Sequence, residues 1–396
     1  MAADATTPPL EGILVIDLAR AVAGPYAAMT LGDLGARVIK VEPPTGDQSR
    51  RWGPPFLGND PANDSTYFLS VNRNKESIVA DYKTLDGQHV LAELLARADV
   101  LVENFRPGVL GALGFPPERL EQINPRLIVL SISGFGDLGP EQTRPGFDQI
   151  VQGEGGLMAV TGDPGGQPTK AGVPIADVLS GMNGAIGVLA ALKRRDRTGH
   201  GGVVRTSLLA SVIGAHVFQA THWTVGKQEP GRVGPHHPSI APYGMFQAAD
   251  GHIQIACGTE GQWSAFAAVA GLNASDPRFA TNADRVAHHA ELVGLINSAL
   301  EHQPGNYWDQ RLRAAGVPAG VIRPISEVYS LDQVRAMGLA LTVSDDDYGQ
   351  LELPGPSVAF DNLRHDQLRA HTAPPRLGAD TARVTSWLKN SERTSA

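Results

Sequence analysis

The chain has 396 residues, 42% of them apolar, and a formal net charge of −8. That length supports two or three domains around a large core, while the acidic balance and the lack of a long basic run exclude a dedicated nucleic-acid binder. Cys257 is the only cysteine, which excludes an intrachain disulfide and a multi-cysteine zinc site.

In chain order, Met1–Pro9 has neither the basic nor the apolar region of a secretory signal. No run of about 18 uncharged apolar residues follows, so no membrane contact is expected and the expected location is cytoplasmic. Ile13–Ile16 is continuously apolar, as a strand buried on both faces should be. Pro25 opens a helix and Gly35 closes it, and Ala36–Val41 is the next strand. The alternation continues through a strand at Glu76–Ala80, a helix around His89–Ala96, and strands at Asp99–Val102 and Leu127–Leu130. This is the pattern of an α/β fold, a parallel sheet covered by helices. Asp177–Arg195 has helical spacing, with Val178, Met182, Ile186, Leu189 and Leu192 on one expected face, and charges at its ends suit the helix dipole. Gly226–Pro242 reads as a linker, Gly244–Ala256 as a hairpin turning at Asp250-Gly251, and Cys257 as a buried thiol closing an apolar run. Helices are expected near Gln262–Ala270, Ala283–Leu300, Tyr307–Ala315 and Ala379–Lys389. The domain reading is a large part over 1–224, a smaller α+β domain over 225–325, and a return to the large part over 326–396.

The loop after the first strand, Ala19–Pro25, holds one glycine, Gly24, where a dinucleotide fingerprint needs three. Glu42 stands where such folds keep a ribose-binding acid, but without the glycines it does not carry that reading. His236-His237 and His288-His289 lack metal-ligand spacing, and no G-x-S-x-G occurs. Asp177 stands apart. It sits in Gly172–Gly181, an apolar run entering a helix rich in small residues. A carboxylate there serves as a helix cap or as a nucleophile held near helix-end N–H groups, with Gly181 and Gly184 giving a bulky ligand room.

In order, Val15–Leu18, Ala23–Pro25, Leu31–Glu42, Gly46-Asp47, Asn72–Lys75, Val102–Gly108, Asn124-Pro125, Ser133–Gly136 and the Asp177 helix resemble the family III coenzyme A transferases. The resemblance implies a Rossmann-like large domain, a smaller domain, and two chains interlocked as a homodimer. It implies acyl-CoA and carboxylic acid substrates, with no metal and no permanently bound cofactor. Asp177 falls on the family's nucleophilic aspartate, which forms an aspartyl-CoA thioester. Val22, Ala23, Ala80, Asp81, Lys83, Asn104, Phe105, Arg106, Phe147 and Asp148 fall on CoA-contact segments. Val22 replaces the glutamine of formyl-CoA transferases, and Ala112 replaces an arginine of some members.

Related α-methylacyl-CoA racemases pair the equivalent aspartate with a histidine in a Gly-His-Asp context. Here the context is Gly146-Phe147-Asp148, so a second base is missing. The alternatives to transfer are such a racemase, or a CoA-binding protein in which Asp177 only caps its helix. Trp52–Pro55 and Pro235–Tyr243 resemble members that handle dicarboxylates such as succinate and glutarate, and Arg20 is a candidate anchor for a far carboxylate.

Overall fold

A computed structural model describes residues 7–60 and 62–393. The chain forms two compact units. Of the described residues, one comprises those up to 157, 170–226 and 329–393, and the other comprises 158–169 and 227–328. Residues 158–169 thus join the second unit, although they fall within the 1–224 span read as part of the first domain.

The first unit is built on six parallel strands: β1 (Leu14–Asp17), β2 (Arg37–Glu42), β3 (Lys75–Val79), β4 (Val100–Glu103), β5 (Ile128–Ser133) and β6 (Gly202–Ser207). Their order across the sheet is β3-β2-β1-β4-β5-β6. Val15 registers with Val38 on one side and Val100 on the other. Successive strand residues face opposite ways, and both faces are covered. Val15, Val38, Val100, Val102 and Leu130 pack with the first helix, Ala23–Asp33, and the long helix, Ile175–Thr198. Leu14, Ile16, Ile39, Leu101 and Val129 pack with the helix Leu85–Arg97 and with Val384 and Leu388 of the late helix Thr381–Arg393. The continuous apolar runs in the sequence are the signature of this two-sided burial.

The long helix is apolar and long enough to cross a membrane, but here it packs against the first helix and the sheet. Its buried face is only in part the expected one: Leu192 is buried in the core, but most of the expected face is not. Met182, Ile186 and Leu189 are exposed, while Ala176, Gly181, Gly184, Ala185 and Val188 are buried. A Cβ on Gly181 would stand 2.7 Å from the Ala23 carbonyl oxygen, and one on Gly184 would stand 2.9 Å from Leu130. The glycines therefore admit neighbouring backbone and core, not a ligand.

Glu42 is not a ribose acid either. It is buried and bound through both oxygens by Arg50, at 2.7 and 2.9 Å, with Ser77 donating to it as well. Residues 329–393 return to the first unit, where the Asp380 carboxylate accepts the Ser77 N–H at 2.8 Å. They also add a hairpin, β10 (Ala340–Asp345) and β11 (Gly349–Pro354).

In the second unit β7 (Tyr243–Ala248) and β8 (Gly251–Ala256) form the expected hairpin, and β9 (Ala319–Val321) pairs with β8. Trp263, Phe266, Leu292, Ile296 and Leu312 fill its core. The expected helix Ala283–Leu300 is two helices, Asn282–Ala287 and His289–Leu300, divided at His288. Cys257 is buried, and burial pushes its thiol up to about 12.

Candidate active site

Strand order reverses between β1 and β4, so the loops leaving their C-terminal ends diverge and open a crevice. Buried charges fix the β1 side. Asp17 accepts the Ala19 N–H at 2.9 Å, and Lys40 donates to the Ala19 carbonyl at 2.8 Å. Burial alone would lower the Lys40 ammonium, but Asp47, Asp17 and Glu42 carry it up to about 12. Lys75, also bound to Asp17, is brought down by burial to about 8. On the β4 side, buried Glu103 accepts the Phe105 N–H at 2.7 Å.

A cavity of about 880 Å³ opens over this crevice. Val22, Ala23, Lys83, Asn104, Phe105, Arg106, Phe147, Asp148 and Asp177 all line it. Ala80 and Asp81 do not. Ala80 is buried in the core beside β3, and the Asp81 carboxylate accepts the Lys83 N–H at 3.1 Å. Their effect on the cavity is to set the turn that presents Lys83.

Asp177 lies in the first turn of the long helix, but it does not cap it. The N-cap position is Pro174, and the helix-end N–H groups are served from outside by Asp148. One Asp148 oxygen accepts from Ala176 N at 2.8 Å and from Asp177 N at 3.4 Å. The other accepts from Gln152 at 2.6 Å, and Gln152 accepts the Ala171 N–H at 2.8 Å. This chain of bonds holds 171–177 in place. Among the described residues, none donates a hydrogen bond to the Asp177 carboxylate. Burial, and then the charge of Asp148, push its carboxyl up to about 7. A carboxylate with few donors is a better nucleophile than a solvated one, and it faces the cavity with its lone pairs unengaged.

Tyr67 and Trp52 also line the cavity, with ring centroids 5.0 Å apart and edge to face. Burial raises the Tyr67 phenol, and the charges of Asp177 and Asp148 add to that rise. Arg20, Tyr82, Arg144 and Lys170 are among the other polar residues of the lining. Of these, Arg144 is engaged by Glu141 and Glu154. Trp52 entered the sequence reading only within the Trp52–Pro55 resemblance and Tyr67 not at all, because an aromatic residue reads equally well as packing.

The model of CoA-transferase family III matches residues 10–381. The human succinyl-CoA:glutarate CoA-transferase is 36% identical over 379 residues, covering 95% of this chain and 85% of that protein. The succinate–glutarate CoA-transferase of Agrobacterium fabrum is 38% identical, covering 98% and 97%. A CaiB/BaiF family protein from Brucella suis has a crystal structure that superposes with a TM-score of 0.86 at 38% identity, covering 96% of this chain and all of that one. With a family match over residues 10–381 and relatives above 30% identity along nearly the whole chain, the chain belongs to CoA-transferase family III.

Proposed function

We propose that this CoA-transferase works through Asp177 as nucleophile and exchanges CoA between short dicarboxylic acids. The carrying observation is the Asp177 carboxylate, which lines the crevice cavity while Asp148 performs the capping. An Asp177 oxygen attacks the donor thioester carbonyl. The C–S bond breaks, CoA leaves as thiolate, and a mixed anhydride remains. The thiolate sulfur then attacks the Asp177 carbonyl carbon, and the donor acid leaves as its carboxylate. The resulting aspartyl-CoA is attacked by the acceptor carboxylate, and the same steps in reverse deliver acceptor-CoA and free Asp177. Every bond made replaces an activated acyl bond, so the chain's own carboxylate suffices for the exchange.

The choice of dicarboxylates is supported by the succinate and glutarate relatives named above. Lys83 and Arg106 are exposed cations on the cavity rim, suited to CoA phosphates. The working unit in this reading is an interlocked homodimer. Exposed apolar side chains at Met182, Ile186, Ile213, Val217 and Trp223 of the first unit support a second copy as their cover.

The test is to incubate the protein with succinyl-CoA, trap with hydroxylamine or borohydride, and map the product by mass spectrometry. Modification confined to Asp177 is expected. Its absence across a broad acyl-CoA panel refutes the mechanism, and activity confined to monocarboxylates in a donor–acceptor matrix refutes the substrate class. Sedimentation at the mass of a single chain refutes the dimer.

A further inference from the structure

Arg20 reads from sequence as an anchor for a far carboxylate, but its surroundings give it different work. It leaves β1 where Asn104 leaves β4, at the mouth of the crevice. Asn104 grips both of its backbone groups: the carboxamide oxygen accepts the Arg20 N–H at 2.9 Å, and the carboxamide nitrogen donates to the Arg20 carbonyl at 2.8 Å. The next residue, Ala21, is held at φ +64°, a left-handed conformation that alanine adopts only when its surroundings impose it.

The side chain is equally constrained. One terminal nitrogen donates to the Tyr82 hydroxyl. The guanidinium carbon stands 5.3 Å from the Phe105 ring centroid and 6.0 Å from that of Tyr82. Its Nε is sealed from solvent and has no partner. No carboxylate lies within 4.0 Å of it among the described residues. This is a rigid, half-buried cation that faces a cavity and lacks an anion.

Two further cations stand beside it. Lys83 follows Tyr82 and Arg106 follows Phe105, so the residues that clamp Arg20 each carry another positive charge next in sequence. All three line the same cavity, and none has a carboxylate partner among the described residues. Three such charges converging at a strand-order switch point suit a polyanion, with the planar guanidinium suited to paired phosphate oxygens. A short diacid whose thioester carbonyl sits at Asp177 would need its anchoring cation close to that carboxylate. The charge that adds to the upward push on Asp177 is that of Asp148, not that of a cation.

The geometry points to Arg20 as a phosphate-binding residue for coenzyme A, clamped by Tyr82 and Phe105 and acting with Lys83 and Arg106. This assignment rests on the reading of the cavity as the CoA site.

Its test is direct titration of the full-length protein, as wild type, Arg20→Gln and Arg20→Lys, with CoA, 3′-dephospho-CoA and pantetheine by calorimetry. Arg20→Gln should weaken CoA binding about tenfold to a hundredfold, the scale of one charge-assisted hydrogen-bonded contact, and leave pantetheine unaffected. Arg20→Lys should recover part of the loss, because charge remains while the fork is gone. It also serves as the folded variant should the glutamine protein melt early. If the loss persists with 3′-dephospho-CoA, the diphosphate is the target, and if it vanishes, the 3′-phosphate is. Equal weakening of CoA and pantetheine overturns the proposal. So does a rise in the KM of the acceptor acid with CoA affinity intact. Because binding is read without turnover, a wild-type protein that binds CoA and transfers nothing sinks the reaction proposed above and leaves this test standing.

Discussion

Replacing Asp177 by asparagine separates chemistry from folding in one variant. The amide keeps the shape but forms neither the anhydride nor the thioester, so transfer should fall by about 10⁴-fold or more, the scale seen when a covalent nucleophile is removed. Stability should move the other way. Burial and Asp148 raise the carboxyl from 3.8 to about 7 in the folded protein, so the protonated form is the one that folding favours. That contribution is fully present below about pH 4 and is lost as pH rises through about 7. The displacement corresponds to about 4 kcal/mol of strain in the ionised state at alkaline pH, and partial exposure to solvent reduces this to about 1–3 kcal/mol. Asparagine carries no charge at any of these values. Wild type and variant should therefore melt together near pH 4, and by pH 8 the variant should melt higher by about 2–5 °C. Donor-dependent formation of the wild-type thioester should show the complementary profile, rising with pH and levelling above about 7 as the carboxylate becomes ionised. Differential scanning calorimetry across pH 4–8 and single-turnover trapping read the two arms. An active Asp177→Asn protein, with deamidation excluded by mass spectrometry, refutes the nucleophile. A melting difference that stays constant across the range refutes the buried-carboxyl argument.

Gly181→Ala should destabilise by about 1–3 kcal/mol or more, because its Cβ would meet the Ala23 carbonyl oxygen at 2.7 Å; urea unfolding at unchanged m-value measures this. Arg50→Met leaves buried Glu42 without its bidentate partner and should cost about 3–5 kcal/mol, with the loss shrinking in the double variant that also carries Glu42→Gln. Ala21→Gly relieves a positive φ of +64° and should be neutral or stabilising by up to about 1 kcal/mol in thermal melts; a loss larger than that shows that the alanine methyl contributes packing that offsets its strain.

The sheet was legible because two-sided burial leaves unbroken apolar runs such as Ile13–Ile16 and Leu127–Leu130. β6 escaped notice because an edge strand alternates: Val203 and Arg205 are exposed while Ser207 is buried. The long helix was found but its orientation was not. Periodicity ranks large apolar residues above glycine, whereas backbone contact at Gly181 decides which face turns inward. Asp177 was legible as unusual from its apolar surroundings alone, but whether it capped the helix was not. That depended on Asp148, 29 positions away, whose carboxylate reaches the helix end only in the folded chain. The second unit drew in residues 158–169 for a similar reason: Arg232 donates to the carbonyls of Ala159 and Gly166, contacts that leave no local trace in the sequence.

The glycine face of the long helix has a consequence for how such an enzyme can change its tastes. With Gly181 and Gly184 pressed against the first helix and the sheet, the bar that carries Asp177 cannot slide or roll to follow a larger or smaller acid. If Asp177 is the nucleophile proposed above, its oxygen is a fixed point, and each substrate must be brought to it by what surrounds it. Tolerance for new acids would then arise around Trp52, in the short helix Thr66–Leu69 that carries Tyr67, and in the 170–174 approach, which border the same cavity without belonging to that rigid contact. Substitutions there can accumulate with the reaction intact, whereas a single methyl group on the buried side of the helix would displace the one atom that every substrate has to meet.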